Sequence, residues 1–187
     1  DPALLEWTGE GRLLVVDEAF ADVTPEASLT PHAGLKGLLI LRSFGKFYGL
    51  AGLRLGFAVG DPALTRVLAA RLGPWAVSGP ALEIGAAALA DTDWQAEGRA
   101  YLQQASARLD DLLHRAGLHV VGGTSLFRLA ETPGPAAAWH EHLARAHIWT
   151  RPFPDHPRWL RFGLPGSEHA WQRLAAALAA TNAQAAE

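Results

Sequence analysis

Lysine is nearly absent from this chain, so the placing of Lys46 becomes a chemical question. Among 187 residues there are fourteen arginines and two lysines, Lys36 and Lys46, the latter inside the glycine-rich stretch RSFGKFYGLAGLRLGF over 42–57. An amine in a cleft can lose its charge by desolvation and attack a carbonyl, forming a Schiff base. Glycine neighbours allow the backbone to approach a ligand closely. Ser43, three residues earlier, and Arg54, eight residues later, carry donors suited to a phosphate. Asp17 follows the apolar run RLLVV at 12–16, and the C-terminal end of a buried strand is where open α/β sheets hold ligands. Each residue also has a plainer role: a solvated loop lysine for Lys46, a turn former or helix cap for Asp17. Glu18 reads as a salt-bridge or loop residue.

Two further cations stand late in the chain. Arg151, in WTRPF, and Arg161, in WLRFG, interrupt apolar, aromatic-rich strands. An arginine there is poorly solvated unless it meets an anion; the alternative is an edge strand whose guanidinium snorkels out to water. Facing one pocket, the pair suits a doubly anionic substrate such as one bearing a carboxylate and a phosphate. The run WHEHLARAH lacks the His-Glu-x-x-His spacing of zinc proteases, because Ala144 stands four after His140. His140, His142 and His147 therefore read as a wet helix face, and no metal is expected. Walker A, G-x-S-x-G and G-x-G-x-x-G patterns are absent from the sequence.

The elements that must position these groups follow from apolar runs and their punctuation. RLLVV (12–16), GLLILRS (37–43) and RLGFAVG (54–60) predict three strands, the first two buried on both faces. DPALTRVLAARLGP predicts a helix capped by Asp61, with Pro62 at its first position, Leu64, Val67, Leu68 and Leu72 on one face, and Gly73-Pro74 as its stop. Residues 78–91, rich in small side chains, predict a buried helix; 91–117 predict a long amphipathic one capped by Thr92 or Asp93. Strands over LHVV and SLFRLA, a helix over PAAAWHEHLARA, strands over HIWTRPF and RWLRFGL, and a helix from Ser167 complete the order. Alternation of strand and helix predicts an α/β layer first and a smaller α+β unit after it.

Composition excludes several classes. The chain is 49% hydrophobic with a net charge of −3, which rules out a disordered, collagen-like or polybasic polypeptide. No basic stripe interleaved with aromatics points to nucleic acid, and no apolar run reaches a bilayer's thickness. The absence of cysteine removes disulfides and thiolate metal sites and is compatible with the cytoplasm. The chain lacks methionine and opens with Asp1-Pro2, a possible cap for a truncated helix, so it reads as a fragment of a larger protein.

In order, VVDEAF, SFGK, GLRLGF and a late LRFG resemble the C-terminal half of a fold-type I pyridoxal-phosphate enzyme. The branch they are most similar to contains the histidinol-phosphate aminotransferases and threonine-phosphate decarboxylases. GPWAVSGPAL and the ending RPF…LRFGLPG extend the resemblance along essentially the whole chain, and DEAF with GKFYGLAGLRLGF looks closest to the decarboxylases of cobalamin biosynthesis. The resemblance implies part of the large, mainly parallel-sheet domain over 1–90 and a small C-terminal α+β domain over 91–187. It implies that Lys46 binds pyridoxal 5'-phosphate covalently and shuttles protons, that Asp17 pairs with the protonated ring nitrogen, and that Ser43 and Arg54 hold the cofactor phosphate. Arg161 would take the substrate α-carboxylate and Arg151 the substrate phosphate. The implied reaction is decarboxylation of L-threonine O-3-phosphate to 1-aminopropan-2-ol O-phosphate, in a cytoplasmic homodimer that binds neither nucleic acid nor membrane. An aminotransferase acting on histidinol phosphate or a similar compound uses much the same residues, and a non-catalytic remnant or interaction module is a third reading. Phe20 replaces the tyrosine, and Ser78 and Ser125 the asparagines, found in many relatives. The relatives' N-terminal half carries the rest of the cofactor site, so the isolated chain is expected to be inactive.

Overall fold

The computed structural model describes residues 2–9 and 11–184 and divides into two compact units, 1–94 and 95–187. Asp1, the expected cap of an opening helix, lies outside the described residues; Pro2–Trp7 forms a short 3-10 helix. Among the described residues no helix is long and apolar enough to cross a membrane.

In the first unit, β1 (Leu14–Asp17) pairs in parallel with β2 (Leu38–Ser43), which pairs antiparallel with β3 (Gly56–Gly60). Between β1 and β2 the chain runs through three short 3-10 turns instead of a crossover helix. Strand alternation sends Leu38 and Ile40 to one face, where they pack with Leu29, Leu14 and Val16. On the opposite face Leu39 is buried, so β2 keeps the expected two-sided burial over 38–40, and β1 does not. Leu13 and Val15 are 59% and 48% exposed, and Leu41 is exposed as well. β1 is an edge strand, and apolar composition does not by itself supply a cover for its second face.

β3 leads into α1 (Pro62–Leu72). Asp61 caps it by accepting from the Ala63 N–H at 2.8 Å, and its other oxygen accepts from the Gly37 N–H at 3.1 Å. Gly37 has φ +79°, and a Cβ there would lie 2.2 Å from the Arg12 carbonyl oxygen, so glycine is required where β2 begins. Of the predicted apolar face of α1, Leu64 and Leu68 are half-buried while Val67 and Leu72 are exposed. α2 (Gly79–Ala90), capped by Ser78, departs from the expected buried helix. Only Ala81 and Gly85 are buried, Gly85 lying close against Leu55, whereas Leu82, Ile84 and Leu89 are half-exposed. Small residues define the packed stripe, and the larger apolar ones point away from it.

The second unit is a four-stranded antiparallel sheet with its core on one face. α3 (Thr92–Arg115) enters it, capped by Asp91 instead of Thr92 or Asp93: the Asp91 side chain accepts from the Trp94 N–H at 3.0 Å. Ala105, Leu109 and Leu113 recur every four residues on its buried side. Gly117, φ +76°, ends the helix in a Schellman turn, with the Leu118 N–H donating to Leu113 O at 3.0 Å. Then come β4 (His119–Thr124), β5 (Phe127–Glu131), α4 (Ala136–Arg145), β6 (Arg151–Phe153), β7 (His156–Gly163) and α5 (Glu168–Gln184). The sheet order is β4-β5-β7-β6. Ala130, Leu160 and Phe162 face Leu109, Leu113, Trp139, Leu143, Trp171 and Leu174 from the helices. A bidentate pair between Arg108 and Glu168, at 2.7 and 2.8 Å, joins α3 to α5 above the Trp171 ring.

The backbone donors of Ala63 and then Gly37 hold the Asp61 carboxyl below the usual aspartate range. A depressed carboxyl stabilises the fold above its unfolded value, about 3.9, and that contribution disappears as pH falls through the lower folded value. Urea midpoints of wild type should therefore fall on acidification below about pH 4, and Asp61→Asn should fall less steeply over the same range. Parallel acid profiles for the two proteins would show that Asp61 carries no such linkage.

Candidate active site

Asp17 is the last residue of β1, level with Leu41 of β2, and the ladder continues through the Glu18 N–H to Leu41 O at 2.9 Å. Its Oδ1 accepts from the Ala19 N–H at 2.9 Å, a turn that folds the chain back at the strand end. Ser43 ends β2 two residues beyond Leu41, so the pleat puts Asp17, Leu41 and Ser43 on one face. The Ser43 Oγ accepts from the Gly45 N–H at 3.1 Å, starting the next turn.

The loop that follows is closed at its ends and anchored by aromatics. The Phe44 N–H donates to Leu55 O at 3.3 Å and the Leu50 N–H to Phe44 O at 2.9 Å. Phe44, Phe47, Tyr48 and Leu55 are buried. Phe44 stacks on Tyr48 at 4.5 Å, and Trp94 lies 5.3 Å from Phe47 and 5.9 Å from Tyr48 between ring centres. With its neighbours turned inward, Lys46 projects outward, its Nζ 5.4 Å from the centre of the Phe20 ring. That contact joins the Lys46 loop to the loop that leaves Asp17. Arg54 closes the segment with a left-handed backbone, φ 54°, and donates to Ala51 O at 3.1 Å. A left-handed arginine costs about 1 kcal/mol, which points to a positional demand on its side chain.

The structure thus brings Asp17, Ser43, Lys46 and Arg54 to one end of one sheet. Among the described residues, no ion pair engages Asp17, Lys46 or Arg54. A carboxylate, an amine and a guanidinium outside any ion pair, beside a hydroxyl, together suit a ligand with a protonated ring nitrogen, an aldehyde and a phosphate.

In the second unit, Arg151 and Arg161 are direct cross-strand partners on β6 and β7. Leu160 and Phe162 point into the core, so both arginines lie on the face away from the helices. Arg161 is half-buried, its guanidinium 5.0 Å from the Phe127 ring centre; Arg151 is exposed, 5.4 Å from that of Phe153. Like charges placed opposite one another destabilise a sheet, and among the described residues no acidic side chain pairs with either. An anion would remove that repulsion.

His140 and His142 of α4, with His147 just beyond it, do not form the expected wet face. His140 Nδ1 lies 2.9 Å from Thr150 Oγ1 and His142 Nε2 lies 3.1 Å from Ala177 O, both rings half-buried; only His147 is exposed. Partners distant in the sequence satisfy them. Arg42 is a further engaged cation, not among the candidates expected from the sequence. Its guanidinium pairs with Asp22 and, at 3.4 Å, with Glu18, both buried. Its sequence context is that of Arg151 and Arg161: an arginine in an apolar strand needs an anion.

The model of a known family, aminotransferase class I and II, matches residues 3–178. The chain belongs to the aminotransferase class I and II family. Within it, a threonine-phosphate decarboxylase of Pseudomonas aeruginosa is 48% identical over 183 residues, covering 95% of this chain and 55% of the relative. One from a Sinorhizobium species is 51% identical over 170 residues, covering 90% and 50%. The chain therefore spans about half the length of the curated relatives it matches. A solved histidinol-phosphate aminotransferase of Sinorhizobium meliloti, in complex with pyridoxal-5'-phosphate, superposes with a TM-score of 0.83 at 24% identity, over 94% of this chain and 50% of that one. That likeness shows the α/β fold shared by class I and II aminotransferases.

Replacing Arg54 by glycine removes the left-handed penalty along with the guanidinium. Arg54→Gly should raise the unliganded chain's unfolding free energy by up to about 1 kcal/mol, read from urea midpoints, while weakening phosphate-dependent binding. A loss of stability of similar size would show that the backbone at 54 is unstrained.

Proposed function

We propose that this chain is the C-terminal half of a pyridoxal-phosphate enzyme that decarboxylates L-threonine O-3-phosphate to 1-aminopropan-2-ol O-phosphate, a step of cobalamin biosynthesis. The observation that carries this reading is the donor set at one sheet end: Asp17, Ser43, Lys46 and Arg54 gathered there, with the three charged ones free of ion pairs among the described residues. Identity near one half to threonine-phosphate decarboxylases supports this reaction over amino-group transfer. A cytoplasmic homodimer, with no nucleic acid or membrane partner, is the assembly and compartment that the family resemblance implies. So is a division of the chain near residue 90 into part of a large domain and a small one.

The fit of the residues to the cofactor is chemical. Ser43 and Arg54 offer a hydroxyl and a guanidinium to its phosphate. Asp17, at the end of the parallel ladder, offers a carboxylate that keeps a ring nitrogen protonated. Lys46, held outward by its buried neighbours, offers the amine that anchors the aldehyde. When bound, pyridoxal phosphate supplies an electron sink for the pair left behind as the carboxylate departs.

The other residues bind and orient. Arg161 takes the substrate α-carboxylate with a planar fork, and Arg151, directly opposite, takes the substrate phosphate. Clamping both ends of the substrate fixes which bond to Cα can align for cleavage. Once the substrate amine has displaced it from the aldehyde, the Lys46 Nζ would hold the proton that Cα takes up as carbon dioxide leaves. Phe20, lacking a hydroxyl, gives the Lys46 amine an aromatic face and no hydrogen bond from its ring.

Reduction with borohydride in the presence of pyridoxal phosphate, followed by peptide mapping of the complete gene product, should label Lys46 and spare Lys36. Equal labelling of both would remove Lys46 from the site. With threonine O-3-phosphate the same protein should release carbon dioxide without needing a keto acid. A requirement for a keto acid, with amino-group transfer, would replace the reading by an aminotransferase. Arg161→Gln should lower kcat/KM about a hundredfold, corresponding to about 3 kcal/mol for an unpaired substrate carboxylate; an unchanged value would exclude it as the carboxylate ligand. The isolated 187 residues should show no turnover.

A further inference from the structure

We propose that Arg42 is a positioning residue for the site across its sheet, setting where Asp17 and Phe20 stand relative to Ser43 and Lys46. This inference rests on the pyridoxal-phosphate reading of that site. Arg42 precedes Ser43 on β2, and alternation sends the two side chains to opposite faces. Glu18 follows Asp17 in the same way. Its carboxylate accepts from the Ser28 Oγ–H and the Leu29 N–H, both at 2.6 Å, and from Arg42 Nη1 at 3.4 Å. The same Nη1 reaches Ser28 Oγ at 3.3 Å and Thr30 Oγ1 at 3.2 Å, while Nη2 binds Asp22. Exposure of the three charged side chains is 22% for Arg42, 6% for Glu18 and 8% for Asp22.

One guanidinium therefore pins the chain on both sides of Phe20, at residue 18 and at residue 22, and Phe20 is the ring beneath the Lys46 amine. The pin at 18 also fixes the Asp17–Glu18 peptide, and with it the direction of the Asp17 carboxylate. Asp22 sits in the 3-10 turn Ala21–Val23, so that turn is held from beneath. Arg42 itself belongs to the Leu38–Ile40 side of the sheet and acts only through these neighbours. Its planar fork, serving several acceptors in one geometry, transmits orientation in a way a point charge does not.

A buried ion cluster can also serve stability alone, so the test reads the bound cofactor as well as the fold. In the complete gene product loaded with pyridoxal phosphate, Arg42→Met, Arg42→Lys and Asp22→Asn would be compared with wild type. The readouts are cofactor affinity by titration, the pH midpoint of the cofactor's visible absorption, and the urea midpoint without cofactor. Arg42→Met should weaken cofactor binding about tenfold, the scale on which partners behind a first contact act, and displace the absorption midpoint. Arg42→Lys should recover part of both effects. A folded Arg42→Met with wild-type affinity and midpoint overturns the inference, whatever its urea midpoint. Where that variant does not fold, Asp22→Asn decides by the same two readouts. Failure of wild type itself to trap the cofactor on Lys46 removes the underlying reading, and this inference with it.

Discussion

Parallel pairing of residues 14–17 with 38–41 makes the chain leave both strands at the same end of the sheet, and the candidate site is built on that exit. Antiparallel neighbours would have put Asp17 and Ser43 at opposite ends. The parallel ladder runs on through Glu18 and Leu41, while the antiparallel partner β3 begins beside Ser43 and so brings Arg54 to the same edge. No side chain has to reach far. Two strand exits and one strand entry deliver four chemically different groups to one place.

The local arrangement carries a cost at two places among the candidate residues. Arg54 holds a backbone that glycine adopts more easily. Arg151 and Arg161 face one another across a strand pair, and among the described residues no acid pairs with either. Stability comes from elsewhere: the aromatic anchor of Phe44, Phe47, Tyr48 and Trp94 in the first unit, and the aliphatic and tryptophan core in the second. Each unit keeps its strain at the surface and its packing inside.

Much of this arrangement was legible in the sequence because its signals are local. Apolar runs ending at Asp17 and Ser43 mark strand exits, and Pro62 after Asp61 marks a helix start, which the Ala63 bond completes. What escaped depends on distant partners. Asp91, Thr92 and Asp93 are all competent caps, and only the bond to the Trp94 N–H separates them. The sides of β1 and α2 that remain open cannot be read from apolar content, which is the same on covered and uncovered faces. His140 and His142 find acceptors at residues 150 and 177. Opposition of Arg151 and Arg161 follows from the register of one hairpin, which an isolated strand does not specify.

The back-to-back placing of Arg42 and Ser43 also limits how the gene can change length. Side chains alternate with a period of two, so inserting or deleting one codon within Leu38–Ser43 would swing the guanidinium to the open side and the hydroxyl toward Glu18. Both faces would be lost in one event, without any substitution. Insertions are met more easily where the backbone is neither laddered nor buried, as in the exposed turn over residues 73–76. Along this strand, descent can replace side chains one at a time but cannot shift the frame in which they alternate.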